Sequence, residues 1–459
     1  MDNSSYLDKE SLHILEDALD KLNLAFSNLP LPKPKFQRNE ELKRIILEVA
    51  VRLQDNYPYF HPLYAGQMLK PPHSVARLAY MLAMWINPNN HALDGGRASS
   101  QMEKEAVANI AKMIGWDIHL GHLCSGGTMA NLEALWIASK LHPNKKIVAS
   151  QQAHYTHNRI CGVLGLQFES IPSDTNGRIN INDLQYCLDR GNVGTVIATI
   201  GTTALGSVDF LPEILRLQDR YGFRLHVDAA YGGYFCLSEN LMQETRHTYD
   251  RLKDIDSIVI DPHKHGLQPY GCGCVLFRDP SIGQYYKHDS PYTYFSSAEL
   301  HLGEISLECS RPGAAAVGLW ATQRLLPLIP GGEFAQGLNN SRQAALFLYE
   351  KLKADQRFIT SSPPELDIVV WIPNANCSTN ASKLSKLIFA ESARRSLHLA
   401  LAELPVELFN LSYSKMEIDS PTITCLRSVL MKSEHYEWID NIWTILDEAT
   451  MAALQVRPT

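Results

Sequence analysis

Ser257-Ile258-Val259-Ile260-Asp261-Pro262-His263-Lys264-His265-Gly266 sets a lysine just after a short apolar run. The run reads as a buried strand, and a second one, Cys274-Val275-Leu276-Phe277, follows closely. Working outward, residues 147–149, 195–200 and 224–227 are further short apolar runs, separated by segments of helical periodicity. Strands alternating with helices predict an α/β fold with a mostly parallel sheet and helices on both faces. Such sheets bind ligands at the carboxyl ends of their strands. Residues just after each strand are therefore the ones to read, and Lys264 is one of them. Desolvation and neighbouring positive charge would favour its neutral, nucleophilic amine. A solvated loop lysine is the competing reading.

The bulk composition narrows the class. With 459 residues, 45% of them apolar and 20% charged, the chain reads as a soluble globular protein of two or three domains. A net charge of −7 provides no basic footprint for nucleic acid. The nine scattered cysteines suit a reducing cytoplasm better than a disulfide framework. Cys272 and Cys274 sit two apart with no second pair, so no metal site is expected. The first residues lack the basic-then-apolar pattern of a signal peptide. Residues 75–86 are too few to span a bilayer and include Arg77, so no membrane contact is expected.

Leu12, Leu15, Leu19, Leu22 and Phe26 recur at helical spacing before the linker Leu29-Pro30-Leu31-Pro32-Lys33-Pro34. With a second helix over 42–53, residues 1–60 read as a helical arm. The arm either packs on its own subunit or reaches across a partner, and the second is preferred. Residues 61–330 read as the large domain. Pro330-Gly331-Gly332 marks a boundary, and 331–459 reads as a small α+β domain. Its expected order is helix 334–352, strand 366–372, helix 382–396, strands 406–411 and 423–431, and helix 436–454.

Four strand ends carry candidate chemistry. Ser125-Gly126-Gly127-Thr128 opens a helical pattern, and its free N–H groups suit a phosphate or an ordinary N-cap. The lysine of G-x-x-x-x-G-K-[ST] is missing, as is G-x-G-x-x-G, which weakens a nucleotide reading. Asp228, in His226-Val227-Asp228-Ala229-Ala230-Tyr231, puts a carboxylate at a buried strand end, where it needs a cation. Arginine, a metal or a protonated ring nitrogen would serve, as would a purely structural ion pair. Ala230 and its small neighbours leave room for a flat group. His154, in Ala153-His154-Tyr155, would lay an imidazole against a ring, and Thr203 would donate to a ring substituent or cap a turn. Phosphate cradle, buried acid, histidine and lysine together describe a pyridoxal 5'-phosphate site, with Lys264 as the covalent anchor and Asp228 keeping the pyridine nitrogen protonated.

At this point the chain resembles the group II pyridoxal-phosphate-dependent amino acid decarboxylases, the family of aromatic-amino-acid and glutamate decarboxylases. The likeness runs from His61-Pro62 through Gly201-Thr202-Thr203 and Pro262-His263-Lys264 to Ser310-Arg311-Pro312-Gly313. It implies the aspartate-aminotransferase-like fold type I, with a large mixed sheet domain and a small α+β one. It also implies a homodimer with shared active sites. Gly126, Gly127, Thr128 and His263 would hold the phosphate, His154 would stack on the ring, and Thr203, Asp228 and Ala230 would complete the pocket. A tyrosine on a mobile loop is the family's usual proton donor. Tyr294 is preferred and Tyr292 second. Phenylalanine in that slot belongs to members that oxidatively deaminate, so Phe295 there would imply an aldehyde product.

The expected reaction is decarboxylation of an L-amino acid to its amine, a tyrosine-like substrate being slightly favoured. His61 and Tyr64 would supply apolar walls, and Arg311 or Arg97 would grip an acidic substrate such as glutamate or aspartate. A carbon–carbon lyase, an aminotransferase and a non-catalytic binding protein are the competing readings.

Overall fold

The computed structural model describes residues 9–30, 38–287, 301–411 and 414–455. Its main sheet contains β1 (Leu120–Cys124), β2 (Lys146–Ser150), β3 (Phe168–Ile171), β4 (Val193–Thr199), β5 (Arg224–Asp228), β6 (Ser257–Ile260) and β7 (Gly273–Phe277). The seven strands lie in the order β1-β7-β6-β5-β4-β2-β3. Neighbours from β6 to β3 pair in parallel, whereas β7 runs antiparallel to both β6 and β1. This is the mixed, mostly parallel sheet of fold type I.

Burial explains why the central strands were plain in the sequence. Every residue of β4, β5, β6 and β7 is buried, as expected where helices cover both faces. β1 and β3 were not foreseen. β1 is interrupted by Gly121 and His122, and β3 is a four-residue edge strand with Glu169 and Ser170 at its centre. Chain order reverses between β2 and β4, which opens a crevice at the carboxyl ends of the strands.

A second, four-stranded antiparallel sheet has the order β10-β11-β9-β8. Its strands are β8 (Phe358–Thr360), β9 (Ile368–Pro373), β10 (Ala400–Pro405) and β11 (Thr422–Val429). The strand expected over 406–411 is displaced. The chain pairs with β11 one segment earlier, at β10, and Val406–Leu408 form a 3-10 turn after Pro405. β10 lies at the sheet edge and is only partly buried, so its apolar signal is weak. β8 was likewise not foreseen. Helices Ser378–Arg394 and His435–Gln455 pack beside this sheet, and helix Glu333–Ala354 joins it to the first.

The two sheets share one buried apolar cluster, from Val196 and Leu225 to Ile368 and Cys425. Polar clasps reinforce it. The Tyr231 hydroxyl donates to Asp367 Oδ1 at 2.6 Å, and His265 Nε2 lies 3.2 Å from Asp367 Oδ2. Arg427 donates to the carbonyls of Ala204 and Gly66. The turn carrying Tyr231 and the loop carrying Lys264 are thereby fixed to both sheets. None of the described helices is long and apolar enough to cross a membrane.

Candidate active site

Segments following β1, β2, β4, β5 and β6 meet at the carboxyl ends of the strands, with Met68, around a cavity of about 300 Å³. The first follows β1. Helix Gly127–Leu141 begins there, and its first N–H groups have no partner within the helix. Gly126 sits at φ +154, and a side chain on Gly273 would lie 2.6 Å from the Gly126 backbone. A side chain on Gly127 would lie 2.7 Å from Asp261 Oδ2. Glycine is required because the helix start meets β7 through backbone and the Asp261 side chain of the lysine loop at close range. The helix is anchored to the sheet by His226, whose Nε2 meets Asn131 Oδ1 at 2.8 Å and whose Nδ1 meets Ser257 Oγ at 3.0 Å. Burial pushes this imidazole down to about 3, so it is a neutral strut.

The second segment follows β2. His154 Nδ1 meets Thr156 Oγ1 at 2.8 Å, and its ring stacks on Tyr155 with centroids 4.5 Å apart. Burial lowers its pKa, which favours a neutral ring facing the cavity. One turn on, in helix Thr156–Leu164, the fully buried His157 points Nε2 at Asp228 Oδ2 across 2.9 Å.

Asp228 is the last residue of β5 and also accepts from the Ala230 N–H at 3.1 Å. Burial alone would raise its pKa. The His157 hydrogen bond and charge, with the Lys264 charge beyond, overcome this and hold it well below the usual carboxylate range. The site thus keeps a buried negative charge facing the cavity. Lys264, after β6, places Nζ 3.1 Å from Asp261 Oδ2. His263 is tied back by its Nδ1 to the Cys272 carbonyl at 2.8 Å, and burial lowers its pKa.

The cavity wall includes Gly126, Gly127, Thr128, His154, Thr203, Asp228, Ala230, His263 and Lys264, every residue expected to touch the cofactor. The residues expected to meet substrate lie elsewhere. Arg311 is 6% exposed, and its guanidinium is bound by Glu103 Oε1 at 2.7 Å and by the Leu123 carbonyl. That position braces β1 and leaves Arg311 off the cavity wall. His61 packs edge-on against Trp438, and buried Tyr64 packs edge-on against Tyr59. Neither lines the cavity. Tyr292, Tyr294 and Phe295 fall outside the described residues. His157 was not foreseen, although His154-Tyr155-Thr156-His157 carries its signal: a second imidazole one helical turn after the first. Met68 on the cavity wall was also missed.

The residues fit pyridoxal phosphate. Helix N–H groups and a glycine cradle suit the phosphate, a buried acid held ionised suits the pyridinium, and an amine lines the same cavity. Fold and cavity together define a pyridoxal-phosphate enzyme of fold type I.

Comparison with known proteins is consistent with this. Residues 128–372 match the pyridoxal-dependent decarboxylase conserved domain. The chain belongs to the pyridoxal-dependent decarboxylase family. It is 26% identical over 457 residues to an L-tyrosine decarboxylase of Enterococcus faecium, covering 76% of this chain and 75% of that protein. It is 28% identical over 288 residues to an L-aspartate decarboxylase of Thermococcus kodakarensis, covering 62% of this chain and 73% of that one. Among solved structures, TDC of Oryza sativa with PLP and tryptamine superposes with a TM-score of 0.77 at 18% identity, covering 98% and 99% of the two chains. Mouse CSAD in apo form superposes with a TM-score of 0.76 at 20% identity, covering 94% and 92%.

Proposed function

We propose that this chain removes the α-carboxyl group of an L-amino acid as carbon dioxide and releases the amine, a tyrosine-like substrate being favoured. The observation that carries the reading is Asp228, held ionised by His157 in the cavity that contains Lys264. When bound there, pyridoxal phosphate would supply an electron sink for the pair left behind as carbon dioxide departs. Lys264 anchors the cofactor covalently. Asp228 holds a proton at the pyridine nitrogen, Gly126, Gly127, Thr128 and His263 bind the phosphate, and Thr203 contacts the ring hydroxyl side. His154 supplies a neutral face for the ring, and Ala230 leaves room beside it. Tyr294, with Tyr292 second, returns the proton to Cα.

Substrate choice rests on two supports. Met68 and Ala230 give the wall apolar surface, and several relatives are named L-tyrosine decarboxylase. Aspartate is the second reading, since other relatives carry that name. A panel of L-amino acids assayed for carbon dioxide, amine and aldehyde tests both. Tyrosine should give carbon dioxide and amine in equal amounts. Aspartate turned over faster than any aromatic amino acid would reverse the preference, and an aldehyde product would replace decarboxylation by oxidative deamination.

In this reading residues 1–60 are an arm, 61–330 bind the cofactor and 331–459 form the small domain of a cytoplasmic homodimer. Helix Asn39–Leu53 has no buried residue and exposes Leu42, Ile46, Leu47 and Val51, a surface suited to a second copy. Sedimentation at twice the chain mass would support the dimer, and a monomer at working concentration would exclude it.

A further inference from the structure

The roles above leave one buried carboxylate in the cavity unused. Asp261 follows β6, is 2% exposed and lies on the cavity wall. Its Oδ2 is 3.1 Å from Lys264 Nζ and 3.5 Å from His263 Nε2. Its Oδ1 is buried without a hydrogen-bond partner. A buried acceptor left bare is unfavourable. Asp228, the other acid facing this space, is already engaged by His157 and the Ala230 N–H. Space for Asp261 is made by the absence of a side chain on Gly127, which would lie 2.7 Å from Oδ2.

We propose that Asp261 is a positioning residue, the counter-ion that parks the Lys264 amine as an ammonium whenever that nitrogen is not bonded to the cofactor. The inference rests on Lys264 being the cofactor's anchor. A carboxylate at this distance favours the charged amine, and a charged amine has no lone pair to offer an aldehyde carbon. Before the carbon–nitrogen bond forms, the ammonium gives one proton to water. The two protons left on nitrogen then depart with the aldehyde oxygen as a water molecule. When a substrate amine later displaces the lysine, its two protons pass to the lysine nitrogen, and the freed amine takes a third from water beside Asp261. Asp261 thus serves the amine, while Asp228 serves the ring.

The test uses the full chain freed of cofactor and mixed with pyridoxal phosphate or with phosphate-free pyridoxal across a pH series. The yellow absorbance of the carbon–nitrogen double bond is the readout. Asp261→Asn should lower the pH of half-formation by about 1–3 units with either aldehyde, the span expected for losing an adjacent opposite charge. Should the Asn chain fail to fold by circular dichroism, Asp261→Ser carries the same expectation. A midpoint that stays put in a folded variant overturns the proposal, as does an Asp228→Asn variant that moves it equally far. A wild-type chain that never turns yellow with pyridoxal phosphate instead sinks the assignment of Lys264 as the anchor.

Discussion

His157 Nε2 and Asp228 Oδ2 stand 2.9 Å apart, joining the helix after β2 to the end of β5 beside the cavity. Both side chains are buried. The pair ties two strand ends together and decides the charge state of the acid.

Removing the imidazole should expose that dependence. His157→Ala leaves Asp228 with burial as its dominant influence, which raises a carboxylate's pKa. Losing a charge-assisted hydrogen bond costs about 1.5–3 kcal/mol. Decarboxylase activity should fall about ten- to a hundredfold, and the acid limb of its pH profile should move upward. His157→Gln, which keeps a donor, should recover part of the rate. The sign follows from Asp228 being depressed in the native chain. Its stabilising contribution is present above the unfolded carboxylate value and is lost only as pH falls through the lower native one.

Glu133 predicts the opposite slope. It is buried against His122 at 3.0 Å, and burial pushes its carboxyl up to about 8. The native chain keeps this proton between the unfolded value of about 4.3 and about 8, whereas the unfolded chain loses it. Stability should therefore decline as pH rises across that window. Glu133→Gln should flatten the decline, measured as urea midpoints at a series of pH values. An unchanged slope would mean that the group does not carry the proton.

Gly127→Ala tests the cradle. The added carbon would fall 2.7 Å from Asp261 Oδ2, and overpacking of this kind costs about 1–3 kcal/mol. Cofactor affinity, read by fluorescence quenching, should weaken about ten- to a hundredfold, and the unloaded chain should melt somewhat below the wild-type temperature. Wild-type affinity would show that the helix start does not approach the phosphate.

The clasp between the sheets is a stability element. Asp367→Ala would leave His265 and the Tyr231 hydroxyl without their buried acid. Breaking one side of a buried pair costs about 3–5 kcal/mol, so the urea midpoint should drop clearly. Asp367→Asn, which still accepts from Tyr231, should lose less. Equal losses would assign the effect to packing.

What was legible in the sequence follows from burial and from distance along the chain. β4, β5, β6 and β7 are buried throughout, so their apolar runs stood out. β3 and β10 lie at sheet edges, where polar residues are tolerated and the pattern fades. The cavity residues were legible because each sits at a strand end that the fold rule singles out. His157 was not, because its partner lies 71 residues away and only folding joins them. Arg311 invites a ligand reading because it is a cation near a family motif, and its Glu103 partner lies 208 residues away in the chain, so only folding reveals that contact.

The most direct test of the account is to reduce the cofactor-loaded enzyme with borohydride, digest it and map the added pyridoxyl mass. The account predicts a single modified peptide carrying the mass on Lys264, and no label in Lys264→Ala. Label on any other lysine at full occupancy, or a Lys264→Ala protein that still releases carbon dioxide at the wild-type rate, would contradict it.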